Sequence, residues 1–320
     1  MFFLQSAGRP LARLSIAIPA SIVSDTPHLR EKTAKLGAIA RAASIFGVNE
    51  IILYRDAADG QEADMEFCSE ILRYIETPQY LRKKLFKLTP TLRYTGILPP
   101  LQAPHHNVPR SVSEVKLGDL REGVVVSRTH EDAIVDAGLE KPIPATGKQR
   151  LGERVTLRLT SVGRNLRGEL VEVNETGIQS DKAPVFWGYK IRRARSLRAA
   201  MNESWGLRIG TSRYGRVIQE ILPILSRELG TAQSVIIAFG APKMGLREIL
   251  ALEKLEPKDV FDHLVNTLPG QETATVRAEE AIFVSLGLLN VARLIDPTLI
   301  REKWLREGVP ASDGEEGNSQ

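Results

Sequence analysis

Two glycine-bearing loops and a few isolated charges are the parts of this 320-residue chain whose types and spacing could do chemistry. The first loop is "IIAFGAPKMGL", a buried strand running into a glycine-proline turn. Gly240 and Gly245 let a ligand approach the backbone, and Pro242 stiffens the turn. In open α/β sheets, ligands sit beyond the carboxyl ends of the strands. An ordinary strand-to-helix connection would read much the same. A nucleotide-triphosphate loop is disfavoured, because "GAPKMGLR" lacks the Gly-Lys-Ser/Thr ending and no convincing G-x-G-x-x-G occurs. The second loop, "NTLPGQETATVRAEEA", runs from a Pro-Gly turn through small polar residues into an apolar helix.

Three charged residues stand out. Arg277 lies in the first turn of that helix, where the helix dipole opposes it, so it calls for a protein or ligand partner. Glu279 and Glu280 suit the same turn electrostatically. Arg41 is the one charged residue between Lys35 and Glu50. It could pair with a carboxylate, snorkel outward or reach into a site. "PHH", Pro104 to His106, is a poor metal site: adjacent side chains of an extended segment point to opposite faces, and no cysteine or carboxylate is close in sequence. A link or an RNA contact fits it better. Lys141, Lys148, Arg150, Arg154, Arg158, Arg164 and Arg167 fall in one stretch where Glu153 is the only acid. A solvated face would have this composition too, but the clustering favours RNA.

The elements that must hold these residues follow from periodicity. "LSIAIPA", then "TPHLREKTAKLGAIARAASIFG", then "NEIILYRD" read as strand, helix and strand, hence a parallel βαβ unit. Thr26 is the candidate N-cap, Pro27 the first helical residue, and Gly47 the C-terminal stop. "QEADMEFCSEILRYIETPQYLRKKLF" continues as helix. From Ser111 to about Pro184 the pattern changes to short strands between glycine turns: "EGVVVSR", "DAIVDAG", "ERVTLRLTS" and "RGELVEV". About 75 such residues suit a small OB-like barrel. Stacking aromatics are scarce there, with only Phe186, Trp187 and Tyr189 at its end, which favours backbone and shape recognition. The α/β pattern then returns: "GRVIQEILPILSREL" reads as a helix, "QSVIIAFG" as a strand and "LREILALEKL" as a helix. The expected organisation is a discontinuous α/β domain over 10–107 and 185–309, an inserted OB-like barrel over 108–184, and a disordered tail over 310–320.

Composition sets the bounds. The apolar fraction is 42%, the charged fraction 26% and the formal net charge +4, as for a globular chain with mild basicity. Cys68 is the only cysteine, which excludes intrachain disulfides and suits a reducing cytoplasm. No apolar run is long enough to span a membrane, and "MFFLQSAGRP" is too short and irregular for a signal peptide.

"KLGAIARAASIFGVNEIILY" resembles the first motif of TrmH-type RNA methyltransferases, "VIIAFGAPKMGL" the second and the Asn266–Ala281 loop the third. The three occur in order. "TPQYLRK", "ILPPLQAPHH" and "TVRAEEAIFVSLGLLN" are similar to hallmarks of the archaeal and eukaryotic "Putative RNA methyltransferase" branch of the SPOUT superfamily, over roughly residues 12 to 308.

That resemblance implies a trefoil-knotted α/β fold, which sequence pattern alone would set aside. It also implies S-adenosyl-L-methionine as cofactor, held by backbone groups of the two loops. The implied contacts are Phe239, Gly240, Pro242, Gly245 and Leu246, with Leu268, Pro269, Gln271, Thr275 and Val276. It further implies a homodimer packed through the last helix, with Arg41 serving the partner's site. Arg41 and Arg277 are the candidates to hold phosphate or stabilise charge, and Glu279 to accept a proton. The third motif usually carries Ser-Leu-Asn where this chain has Thr275, Val276 and Arg277. That departure tilts the reaction from ribose 2′-oxygen toward a base nitrogen, with uridine N3 of ribosomal RNA the best choice. The basic barrel residues Lys148, Arg150, Arg154, Arg158, Arg164 and Arg167 are expected to bind the RNA. The rival is an RNA-binding assembly factor that holds cofactor and transfers nothing. No metal and no membrane partner is expected.

Overall fold

A computed structural model describes residues 13–57, 60–106, 111–174, 177–178 and 186–294. Strand β1 (Arg13–Pro19), helix α1 (Leu29–Ile45) and β2 (Glu50–Tyr54) form the expected unit, with β1 and β2 parallel. The helix begins later than the Thr26–Pro27 signal suggests. His28 occupies the N-cap without a side-chain cap. Thr26 donates instead to Asp25. Asp25 accepts from Lys35 at 2.7 Å, so an ion pair and not a cap holds this turn.

The long helix expected next is broken into α2 (Glu62–Glu76) and α3 (Gln79–Leu85). Thr77 precedes Pro78, and a residue before proline is pushed out of the helical region. It is extended here. Arg82 donates to the carbonyls of Ile75 and Thr77, which the break leaves without helical partners.

Strands β3 (Leu120–Arg128), β4 (Asp132–Asp136), β5 (Ile143–Thr146), β6 (Arg154–Ser161) and β7 (Arg167–Val171) close a barrel in the order β3-β4-β5-β7-β6. Its core is small and β-branched, with Val125, Val135, Ile143 and Leu157 at the centre. Sequence reading misses β5, "IPAT", because four residues around a proline carry no alternation. Yet β5 closes the barrel, pairing in parallel with β7.

The α/β part resumes with β8 (Lys190–Ala194), α4 (Leu197–Met201), β9 (Leu207–Val217), α5 (Ile218–Thr231), β10 (Ser234–Ala238), α6 (Leu246–Leu252), β11 (His263–Asn266) and α7 (Ala278–Leu294). Gly215 to Val217, read as helix, are the end of β9. The six strands order as β11-β9-β10-β1-β2-β8, with every neighbouring pair parallel. Alternate residues face opposite sides. Ile16, Ile18, Ile51 and Ile237 pack under α1, α2, α5 and α7. Ala17, Ile52, Ile236 and Ala238 pack against α4 and α6. The barrel sits in the connection between the paired neighbours β2 and β8. The 10–107/108–184/185–309 division and the 310–320 tail have their edges outside the described residues.

The barrel is latched by Arg154. Its guanidinium reaches Glu76 at 2.5 Å, from the end of α2, and Glu122 at 2.5 Å, from β3. Trp187 donates to Glu122 at 2.5 Å, and Thr156 donates to the same carboxylate. His105 lies 3.0 Å from Glu76. Arg154 therefore leaves the set expected to bind RNA: its charge is spent between two buried carboxylates. The "PHH" turn is likewise a link, docked on Glu76. Burial would raise the Glu76 carboxyl, but the Arg154 charge and the His105 and Arg154 hydrogen bonds outweigh it and hold it down at about 2. Its ordinary value is 4.5.

A depressed carboxyl stabilises the fold above its unfolded pKa and loses that contribution as pH falls through the folded one. Glu76 therefore contributes about 3 kcal/mol above roughly pH 4.5, lost toward about pH 2. Arg154→Met should cost about 3–5 kcal/mol in denaturant unfolding at pH 7, because two buried carboxylates lose their partner. It should also flatten the acid limb of the stability profile. A variant as stable as the parent at pH 7 would show that the latch contributes nothing.

Candidate functional site

The carboxyl ends of β10, β9 and β11 meet at one cavity of about 340 Å³. After β10 the chain turns tightly. Tyr54 donates to the Phe239 carbonyl at 2.6 Å, and the Ala241 amide donates to the Met244 carbonyl at 2.8 Å. A Cβ on Gly240 would stand 3.1 Å from the Met244 oxygen and 3.2 Å from the Gly245 Cα. A side chain there would require the loop's own backbone to give by a few tenths of an ångström. A Cβ on Gly245 would meet the movable end of the Glu248 side chain.

After β11, the Asn266 side chain accepts from the Leu268 amide at 3.0 Å and donates to the Arg213 carbonyl at 3.1 Å. Thr267 and Ser285 share a buried hydrogen bond of 2.7 Å, tying the loop to α7. Glu280 accepts from the Arg277 amide at 2.9 Å, as a carboxylate three residues on does at a helix start.

The third wall comes from β9. Its pairing with β11 jumps from Gly210↔Leu264 to Arg216↔Val265, so residues 211–215 are thrown out of the ladder. Thr211, Ser212, Arg213 and Tyr214 then line the cavity. Sequence reading missed them. The available signal was "GTSRYG", small and polar residues between glycines inside an otherwise strand-like run.

Of the residues expected to contact a cofactor, the structure brings Phe239, Gly240, Pro242, Gly245, Leu268, Gln271, Thr275 and Val276 to this cavity. Leu246 is buried at the start of α6, packed in the core under the sheet, and Pro269 lies outside the wall. Arg277 is exposed between the lining residues Val276 and Ala278, and its side chain has no partner among the described residues.

Glu279 turns away. Its carboxylate lies 3.5 Å from the buried Lys35 ammonium, which also binds Asp25. Burial opposes ionisation of Asp25, yet the Lys35 hydrogen bond and charge lower its pKa. This cluster clamps α7 to α1, so Glu279 is engaged in packing and not aimed at the cavity.

Arg41 is also away from the cavity of its own chain. It donates to the carbonyls of Pro100 at 3.1 Å and Leu101 at 2.8 Å. One turn earlier, a Cβ on Gly37 would come within 3.0 Å of Leu98 and Pro99. Gly37 and Arg41 together seat the Pro-rich segment that leads to the barrel. On the barrel, Lys148, Arg150, Arg164 and Arg167 are exposed. Arg158 lies 3.3 Å from Glu169, and Arg167 lies 2.6 Å from Asp132. Trp187 and Tyr189 are buried in the joint, Tyr189 donating to the Leu72 carbonyl at 3.0 Å.

Residues 13–289 match the family described as "Putative RNA methyltransferase". The chain belongs to this family. It is 33% identical over 317 residues to the 28S rRNA (uridine-N(3))-methyltransferase of Homo sapiens, covering 89% of this chain and 79% of the human protein. An uncharacterized protein of Haloarcula marismortui is 33% identical over 292 residues, 87% of this chain and 98% of its own length. The SpoU methyltransferase AviRb of Streptomyces viridochromogenes, solved with AdoMet, superposes with a TM-score of 0.34 at 11% identity, over 91% of this chain and 62% of that one. That superposition is too loose to bear on the site. Among the described residues no helix is long and apolar enough to cross a membrane, and no group of three metal-binding side chains occurs.

The Lys35 cluster separates a structural Glu279 from a reactive one. Lys35→Met should destabilise by about 1–3 kcal/mol, since Asp25, part-exposed, and Glu279 would lose the cation between them. Adding Glu279→Gln should recover part of that loss in urea unfolding. No recovery would mean that the two side chains are not coupled.

Proposed function

We propose that this family member is an S-adenosyl-L-methionine-dependent methyltransferase that modifies N3 of a uridine in large-subunit ribosomal RNA. The observation that carries this is the convergence of the Phe239–Leu246 and Leu268–Val276 loops on one cavity at the carboxyl ends of adjacent parallel strands. The cavity is of ligand size, its walls offer backbone edges, and Phe239, Leu264, Leu268 and Val276 give an apolar lining. These features fit an adenosine-bearing cofactor. When bound, that cofactor supplies a methyl group on a positively charged sulfur.

The chain's own task is then positioning and charge stabilisation. Uracil N3 must give its proton to water to become nucleophilic, and negative charge spreads over the ring until N3 takes the methyl group. Arg277, exposed beside the cavity wall, is suited to stabilise that charge. Arg213, Lys243 and Arg247 line the cavity against the single carboxylate of Glu248, which favours a polyanion. Lys148, Arg150, Arg158, Arg164 and Arg167 would hold RNA phosphates along the barrel.

The reading extends to a homodimer and a trefoil knot. Phe283, Val291 and Leu294 of α7 are 46%, 53% and 63% exposed, and Ile45 of α1 joins them through the Phe46–Phe283 ring contact. An apolar face of this kind suits a second copy. Arg41 is one turn from Ile45, which suits a role in the partner's site. The chain leaving the edge strand β11 crosses to pack α7 on α5 and α1, the crossing a knot would use. A cytoplasmic site of action accords with Cys68 as the single cysteine of the sequence.

Calorimetry should give micromolar cofactor affinity, near −8 kcal/mol. Gly240→Val should abolish it by distorting the loop. Incubation with an unmodified large-subunit rRNA transcript should yield 3-methyluridine by nucleoside mass spectrometry. Cofactor binding without any methyl transfer would leave an assembly factor as the better reading. Reversing Lys148, Arg150 and Arg164 to glutamate should weaken RNA binding, flatten its salt slope by roughly two, and spare cofactor affinity. An unaltered slope would make the cluster a solvated face.

A further inference from the structure

We propose that Arg213 and Tyr214 form the platform that receives the target uracil beside the cofactor cavity, a proposal that rests on the function proposed above. Four observations carry it. First, these residues lie in the segment that β9 throws out between its two stretches of pairing with β11. That segment serves no ladder, and it ends at the same cavity as both cofactor loops.

Second, Tyr214 is 69% exposed, the most exposed aromatic side chain among the described residues. Of the three aromatics at the barrel's end, Trp187 and Tyr189 are buried in the joint and Phe186 is half-buried, so Tyr214 offers the more open ring. Base stacking needs a flat, accessible ring. Third, the Arg213 guanidinium stands 4.9 Å from the centre of the Tyr214 ring. A cation held against an aromatic face keeps the ring oriented and adds positive charge next to where an anionic uracil would form.

Fourth, Arg213 lies in the wall of two adjoining hollows. One is the cofactor cavity. The other is a shallow recess of about 410 Å³, walled also by Asn266, Gln271 and Ala274. Arg213, Asn266, Leu268, Gln271 and Ala274 line both hollows, while Tyr214 faces the cavity alone, so a nucleotide that enters by the recess meets Arg213 first and the ring beyond it.

The backbone of the platform is also anchored at several points. Thr211 donates to the Ala238 carbonyl at 2.9 Å, and Asn266 donates to the Arg213 carbonyl at 3.1 Å. The Tyr214 amide donates to the Ser212 hydroxyl at 3.2 Å. At the far end, a Cβ on Gly215 would be 2.7 Å from the Leu264 backbone, so β11 presses directly on the segment. Such anchoring lowers the entropy lost on binding.

The test uses the full chain and a large-subunit rRNA transcript. At saturating cofactor, Tyr214→Ala should lower kcat/KM for the RNA by roughly ten- to a hundredfold, the scale of losing a stacking ring. Tyr214→Phe, which keeps the ring, should recover most of that loss. A second readout needs no turnover: the same transcript containing 4-thiouridine, irradiated with the protein, should cross-link to a peptide bearing Arg213 and Tyr214. Wild-type kinetics in Tyr214→Ala, or no recovery by phenylalanine, would overturn the platform. So would cross-links confined to the barrel, or a Tyr214→Ala protein that fails only in self-association. Should the parent protein bind cofactor yet methylate nothing, the reaction assignment falls, and the cross-link still decides the platform.

Discussion

One half-buried arginine ties the two halves of this molecule to each other. Arg154 belongs to the barrel, and one of its carboxylates, Glu76, belongs to the last turn of α2. Charges of this kind are stable only when their geometry is complete, and removing one partner leaves the other stranded. Glu122, Trp187, Thr156 and His105 complete it. Gly188 is part of the same constraint, since a Cβ there would come within 2.3 Å of Glu76. The barrel is therefore latched by an interaction with a fixed direction.

The α/β half uses a different device. Its site is made by loops at the ends of parallel strands, where strand direction brings every carboxyl end to one edge. Hydrogen bonds then lock the loops to one another: Tyr54 to Phe239, Asn266 to Arg213 and Thr267 to Ser285. Helix α7 is clamped from the far side by Lys35 between Asp25 and Glu279. The acid that looked available for proton transfer is one of the supports.

Charged residues were the hardest to read. Arg154 was expected to bind RNA from its place in a basic stretch, and Glu279 to accept a proton from the family resemblance. In the fold each finds a partner far along the chain: Glu76 and Lys35. Sequence distance hides such pairing. The exposed cations Arg150 and Arg164 are less conspicuous and remain accessible.

The sequence by itself determined the parallel α/β class, the inserted small barrel, the family and the two glycine-bearing loops of the cavity. These rest on local signals: apolar period, turn residues, and motifs in fixed order. It could not determine β5, whose pairing comes from barrel closure. The break at Thr77–Pro78 was legible in the proline itself and was passed over. Only the tertiary structure decided that "TSRYG" leaves its strand to wall the cavity, because that follows from where β11 pairs along β9. Only it decided which charges are spent on packing. Pairing register and ion-pair choice depend on residues brought together by the whole fold, and no window of sequence contains both partners.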